Sequence, residues 1–168
     1  MSPLLLLLRH AEAAAPASGG DRELTPHGRA QALAAGQAIG ALLSGGTILH
    51  GPLLRCHQTA VLVAEGAGWP HPPEERSELN EDAPLASLLD LVRAARPGTV
   101  LIGHQPCLAA LTDALLRGAA GESPSPPAAF DLQPAMLVGL DPTGGPDARW
   151  SLSLLLPSET LQAVLNAR

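Results

Sequence analysis

The 168-residue chain contains no lysine, so each of its 10 fixed positive charges is an arginine. A site that needs cations must therefore use guanidinium forks, which bind phosphate and carboxylate bidentately. Positive charge is also outnumbered: 16 acidic residues leave a formal net charge of −6. That balance excludes the basic footprint that general nucleic-acid or anionic-membrane binding requires. Cysteine is scarce. Cys56 and Cys107 stand far apart, in no metal-ligand or redox spacing, which excludes a disulfide scaffold. Both read as small buried hydrophobes. Long apolar runs are missing as well. Leu4–Leu8 is all leucine and precedes an Ala-rich stretch, but no positive charge comes before it and Arg9-His10 interrupts it. It is neither a secretory signal nor the ~18 residues of a membrane span. A soluble cytoplasmic protein is expected.

The length suits a single domain over residues 1–168. A chain of this size buries roughly 70% of its unfolded surface. Hydrophobic residues make up 46% and charged ones 15%, a globular composition and not a disordered one.

Leu4–Leu8, bounded by Pro3 and Arg9, reads as a buried parallel strand. A loop over 11–23 leads to Thr25-Pro26, an N-cap followed by proline at the first helical position. Ala30, Leu33, Ala34, Gln37, Ala38, Ala41 and Leu42 then keep helical spacing until Ser44-Gly45-Gly46. Thr47–Leu49 reads as a strand. A second helix runs from Pro52 or Leu53 to Ala67, with Leu54, Thr59, Val61, Leu62 and Ala64 as its apolar surface. Residues 69–83 form a connection with a short strand near Ser77–Leu79, and Glu74-Glu75 reads as solvated loop. A third helix, Pro84–Ala95, carries Leu85, Leu88, Leu89 and Val92 on one face. Thr99–Ile102 is a further strand, and Pro106–Arg117 a helix with Leu108, Leu111 and Leu115 in register. A flexible loop over 118–127 precedes a hairpin, Ala135–Leu140 with Arg149–Leu155, joined by turn-rich Asp141–Asp147. Ser158–Ala167 closes the chain as a helix.

Strands alternating with helices predict an α/β three-layer sandwich with a mostly parallel sheet. Ligands in such folds sit beyond the carboxyl ends of the strands. The first strand runs into Arg9-His10 and the Thr99–Ile102 strand into Gly103-His104, so both histidines should reach one rim. Arg55, in the first turn of the second helix, should face it too. Two guanidinium forks, two imidazoles and helix N-termini make a phosphate site in residue type. Histidine there is suited to act as a nucleophile, and phosphoryl transfer mainly needs positioning and charge neutralisation. The other histidines have blander readings: His27 and His57 as exposed helix residues, His50 and His71 as loop residues.

These residues carry a family resemblance. Leu8-Arg9-His10-Ala11-Glu12 resembles the signature opening of the histidine phosphatase superfamily. Pro52-Leu53-Leu54-Arg55-Cys56-His57-Gln58-Thr59-Ala60 resembles its second motif, Ser-Pro-Leu-x-Arg-Ala-x-Gln-Thr-Ala, and Gly103-His104-Gln105-Pro106 its Gly-His-x-Pro motif. The Leu24-Thr25-Pro26-His27-Gly28 segment and the short span between the second and third motifs resemble the small SixA-type phosphohistidine phosphatases. The resemblance covers almost the whole chain and implies a phosphoglycerate mutase-like fold.

It further implies a metal-independent phosphatase with no cofactor. His10 would be the nucleophile that becomes phosphorylated, Arg9 and Arg55 the clamp on the phosphoryl oxygens, and His104 a donor to the transferring group. Arg22 would add a phosphate contact. Leu79-Asn80-Glu81 resembles the segment that carries the general acid in phosphoglycerate mutases. Glu81 is thus the candidate acid, with Asp82 and Glu12 behind it. A zinc site of His10, His104 and Glu81 is opposed by the arginines, which repel a cation. The implied substrate is a phosphorylated protein bearing phosphohistidine. A small phosphorylated metabolite is the alternative, and a non-catalytic phosphate-binding module the rival from another class. Among the departures from the motifs, Gly51 replaces the usual serine, and Ala11 replaces the glycine that usually follows the first histidine.

Overall fold

The computed structural model describes residues 5–16, 21–118, 130–143 and 150–166. The loop expected over 118–127 lies, past Gly118, outside the described residues, as do 144–149 of the hairpin connection and Ala167.

The described elements in order are β1 (Leu5–Arg9), α1 (Pro26–Leu42), β2 (Thr47–His50), α2 (Leu54–Ala67), β3 (Glu74–Glu75), a 3₁₀ turn (Ser77–Leu79), α3 (Leu85–Ala94), β4 (Thr99–Gly103), α4 (Cys107–Arg117), β5 (Leu137–Pro142), β6 (Trp150–Leu156) and α5 (Ser158–Asn166). The strands form one six-stranded sheet in the order β3-β2-β4-β1-β5-β6. β1, β2, β3 and β4 pair in parallel, while β5 and β6 join antiparallel.

The leucine run works as a strand because β1 lies mid-sheet with both faces covered. Leu5 and Leu7 join one core with Leu49, Leu101, Leu88 of α3 and Leu108 of α4. Leu6 and Leu8 join the other with Ile48, Val100, Ile39 of α1, Val63 of α2 and Leu161 of α5. A strand covered on both faces needs no polar alternation. Each such leucine contributes about 1.5–3 kcal/mol on burial. The fold is thus an α/β three-layer sandwich.

Thr25 caps α1 as the sequence requires: its Oγ1 accepts the Gly28 N–H at 2.9 Å and its hydroxyl donates to Glu12 Oε1 at 2.6 Å. Gly28 is needed because a Cβ there would collide with the Glu12 carbonyl.

Several expectations are corrected. Ser77–Leu79 is a 3₁₀ turn that drives Leu79 into the core, and the strand is Glu74–Glu75, paired with Leu49 and His50. Glu74 and Glu75 are solvated, but on a sheet edge and not in a loop. His50 is not a loop residue: it ends β2, buried, with Nδ1 donating to Gly51 O at 2.8 Å. The buried stripe of α1 runs through Gly28, Gln31, Ala32, Ala34, Ala35, Gly36 and Ile39, and Leu42 is exposed. In α2 the core is touched by Cys56, Thr59, Ala60, Val63 and Ala64, with Val61 exposed. In α3, Leu85 is exposed and Leu88 and Val92 are buried.

Candidate active site

Parallel pairing sets the site. Arg9 lies opposite Gly103 in the β1–β4 register, and the His10 N–H donates to Gly103 O at 3.0 Å. The next residues on the two strands are therefore His10 and His104, whose rings meet edge to face with centroids 5.3 Å apart. β2 ends beside β4, and three residues, 51–53, deliver Arg55 in the first turn of α2. His10, Arg55 and His104 are all buried, at 6%, 8% and 2% exposure. This is the rim that strand direction predicts.

The hydrogen bonds fix the state of His10. Its Nδ1 lies 2.8 Å from Ala11 O, and a carbonyl only accepts, so Nδ1 carries the proton. Nε2 is then a lone pair, and it receives Arg55 Nε–H at 3.3 Å. Burial pushes His10 down to about 4; the Ala11 bond, next in size, pulls upward, and His104, Arg55 and Arg9 add to the fall. His104 falls to about 4, first by burial and then by Arg55 and Arg9. Both rings are neutral near pH 7.

Arg55 is the hub. Nη2 donates to His104 Nδ1 at 3.4 Å and to Glu81 Oε2 at 3.0 Å, and Nη1 stands 3.9 Å from Asp21 Oδ1. Arg9 reaches back to Leu132 O through Nη1 at 2.6 Å. Its Nε is buried with no hydrogen-bond partner among the described residues, the kind of donor an incoming oxyanion satisfies. Desolvation lowers Arg9 from its ordinary value, partly opposed by Asp131 and joined by repulsion from Arg22.

Of the three acid candidates, only Glu81 is brought to Arg55. Asp82 accepts from Asn80 Nδ2 at 2.7 Å, and the Glu12 carboxylate accepts from the Thr25 hydroxyl at 2.6 Å while its backbone N–H donates to Gln31 Oε1. Arg22 directs Nε to Ala14 O at 2.7 Å and Nη2 to Ala13 O at 3.1 Å, bracing the segment after His10.

Sequence reasoning missed three contributors. Asp21 takes the Leu54 N–H at 2.8 Å and so caps α2 beside Arg55. Thr59 takes the Ala11 N–H at 3.1 Å and donates to Arg55 O at 2.6 Å, tying nucleophile strand to clamp helix. Cys56 Sγ lies 3.3 Å from His104 Nε2. Only the Gln-Thr pair within the second motif hinted at any of these. Among the described residues, no group of three or more His, Cys, Asp or Glu is placed to hold a metal ion. No described helix is long and apolar enough to cross a membrane.

Comparison with known proteins bears on the family and the fold. Residues 5–83 match the model of the histidine phosphatase superfamily, branch 1. An uncharacterised protein of Picosynechococcus is 34% identical over 143 residues, covering 81% of this chain and 83% of the relative. Among solved structures, the protein histidine phosphatase SixA complexed with tungstate superposes with a TM-score of 0.75 at 22% identity, over 94% of this chain and 99% of that one. A putative phosphohistidine phosphatase SixA from Nakamurella multipartitia gives 0.71 at 27%, over 94% and 96%. A mycobacterial glucosyl-3-phosphoglycerate phosphatase gives 0.68 at 22%, over 92% and 98%. The matches at 22% identity establish likeness of fold.

Proposed function

The chain belongs to the histidine phosphatase superfamily and is a phosphatase of that superfamily, and on that premise we propose that it works through a covalent phosphohistidine at His10 and acts on phosphohistidine borne by a protein. The observation that carries the mechanism is the tautomer of His10: Nδ1–H tied to Ala11 O, Nε2 bare and turned toward Arg55.

In the first step the Nε2 lone pair attacks phosphorus, the bond to the leaving group breaks, and that group takes up a proton from solvent or from Glu81, the candidate acid, once its carboxyl is protonated. In the second, water attacks the Nε2-bound phosphoryl, the N–P bond returns its electrons to Nε2, and inorganic phosphate leaves. Arg9 and Arg55 neutralise the phosphoryl oxygens throughout, the task a cation performs in other phosphoryl-transfer enzymes. His104 lies against Arg55 Nη2 through Nδ1. Burial first, and then the Arg55 and Arg9 charges, keep His104 neutral; a bound phosphoryl dianion opposes these effects and favours a proton on Nδ1, which then becomes a donor.

The substrate reading rests on the mouth of the site. Glu81 and Asp21 flank Arg55 with side chains 57% and 41% exposed. An open, acidic rim repels a metabolite carrying extra negative charge. It tolerates a leaving group that is neutral or cationic once protonated, as imidazole is. The structures named for SixA and for a glucosyl-3-phosphoglycerate phosphatase share this fold, and a small phosphomonoester is the second reading.

The test is parallel incubation, in EDTA, with a phosphohistidine-bearing phosphocarrier, p-nitrophenyl phosphate and a panel of sugar phosphates. Rapid loss of phosphohistidine with poor turnover of the rest is expected. Fast hydrolysis of one sugar phosphate replaces the substrate and keeps the mechanism. Phosphate binding without turnover of anything overturns both.

A further inference from the structure

His104 has a second side-chain neighbour, Cys56, whose Sγ lies 3.3 Å from Nε2. Arg55 Nη2 approaches the opposite nitrogen, Nδ1, at 3.4 Å. A guanidinium only donates, so Nδ1 is a lone pair in this arrangement and the proton of the neutral ring sits on Nε2. Nε2–H then points at sulfur. The thiol is fully buried, and burial pushes it up to about 12, so it stays neutral. A neutral thiol sulfur accepts an N–H weakly but directionally.

Among the described residues, no other side chain hydrogen-bonds Nε2 of His104. Gly51 flanks Nε2, and a Cβ built there would lie 3.5 Å from it, but also 2.5 Å from Leu79 O. A serine at 51 would therefore require the 3₁₀ turn to move. The second motif that this chain resembles carries Ser and Ala where Gly51 and Cys56 stand. In this chain the side chain within hydrogen-bond distance of Nε2 therefore comes from α2.

We propose that Cys56 is a positioning residue: its sulfur accepts Nε2–H of His104, locks that tautomer and holds the Nδ1 edge toward the phosphoryl site. The inference rests on the reading of His104 as the group that meets the phosphoryl oxygens. Without the sulfur, the ring is free to place its proton on Nδ1 or to rotate, and only a fraction of molecules is poised.

The test combines a spectrum with kinetics. In 15N-labelled protein near pH 7, His104 should show a protonated Nε2 and a pyridine-like Nδ1. In Cys56→Ala the ring should populate both tautomers. With p-nitrophenyl phosphate in EDTA, kcat should fall about 3- to 10-fold, the worth of one modest hydrogen bond, with KM nearly unchanged. Cys56→Ser restores an acceptor and should recover most of kcat. A wild-type ring protonated at Nδ1 overturns the proposal. So does a Cys56→Ala variant with unchanged tautomer and kcat, or equal losses in Ala and Ser. Should Cys56→Ala fail to fold, the wild-type spectrum and the Ser variant still decide it. His10→Ala, assayed alongside, separates the outcomes: activity in that variant sinks the covalent mechanism, whereas the tautomer of His104 bears on Cys56 alone.

Discussion

Arg55 donates through Nε to Nε2 of His10 at 3.3 Å, holding the bare nitrogen of one buried side chain against the fixed charge of another. The contact does two things. It adds to the burial that keeps His10 unprotonated, and it holds Nε2 at the place where the guanidinium gathers an anion. Truncating Arg55 should therefore damage binding and chemistry together. Each charge-assisted bond is worth about 1.5–3 kcal/mol, so loss of two should lower kcat/KM about 10²- to 10⁴-fold in Arg55→Ala. Arg55→Lys should recover little, because an ammonium cannot form the fork. His10→Ala should abolish turnover and the acid-labile phosphoenzyme seen in rapid quench with labelled substrate. A phosphoenzyme that persists in that variant removes His10 as nucleophile.

The depressed histidines make a paired prediction for activity and stability. His10 and His104 are each pushed down to about 4. The acid limb of kcat/KM reports the free enzyme, so it should lie well below the ordinary 6.5 of histidine, and activity should persist at mildly acidic pH. For stability the sign follows from proton counts. Between pH 6.5 and 4 the unfolded chain binds protons that the folded rings refuse, so stability falls as pH falls through this window. At about 1.4 kcal/mol per unit, the loss is on the order of 3 kcal/mol per ring by pH 4. Buried His50, also lowered mainly by burial, adds in the same direction. Thermal melts from pH 7.5 to 4.5 should show a steep decline in Tm, shallower in His104→Gln. Parallel curves would place the loss elsewhere.

Much of this site is legible in the sequence because backbone direction alone delivers it. β1 and β4 are short, apolar and parallel, and whatever follows them must share a rim. That argument reaches Arg9, His10 and His104 with no contact known. The helix faces were harder to read. α1 is rich in alanine on every side, so Ala30, Ala38 and Ala41 look like Ala32 and Ala35, and the helix packs on small residues instead of a leucine stripe. Leu42 and Val61, the larger apolar side chains, are 45% and 42% exposed. β3 has no readable period: it pairs only two residues, both exposed glutamates. Asp21 and Cys56 were invisible as site residues because their partners, Leu54 N–H and His104, lie 33 and 48 residues away.

Glu81 can be assigned by leaving-group chemistry. Its carboxylate accepts from Arg55 Nη2 at 3.0 Å, so it must leave that pair to protonate a departing group. If it does so, Glu81→Gln should cost little with p-nitrophenyl phosphate, whose phenolate leaves unaided. It should cost about 10²- to 10⁴-fold with an alkyl phosphate, the usual worth of general acid catalysis. The ratio of the two rates, measured in one preparation, removes differences in folding or active fraction. Equal losses on both substrates would reduce Glu81 to an electrostatic neighbour of the clamp.

Asp21 produces two effects of opposite sign. Its Oδ2 takes the Leu54 N–H at 2.8 Å and its Oδ1 the Arg22 N–H at 2.9 Å, while Oδ1 also stands 3.9 Å from Arg55 Nη1. As the cap of α2 it stabilises, by about 0.5–2 kcal/mol for a residue of this kind. As a negative charge at the mouth it opposes the anion that Arg55 binds. Asp21→Asn retains one acceptor oxygen for the cap and removes the charge. Tm should drop by only about 2–4 °C, while inorganic phosphate should bind several-fold more tightly at low salt. The gain should shrink toward 1 M salt, where the Debye length falls to about 3 Å. Calorimetric titration of phosphate at two ionic strengths checks both parts. Weaker phosphate binding in the variant would mean that Asp21 orients Arg55 more than it repels the ligand.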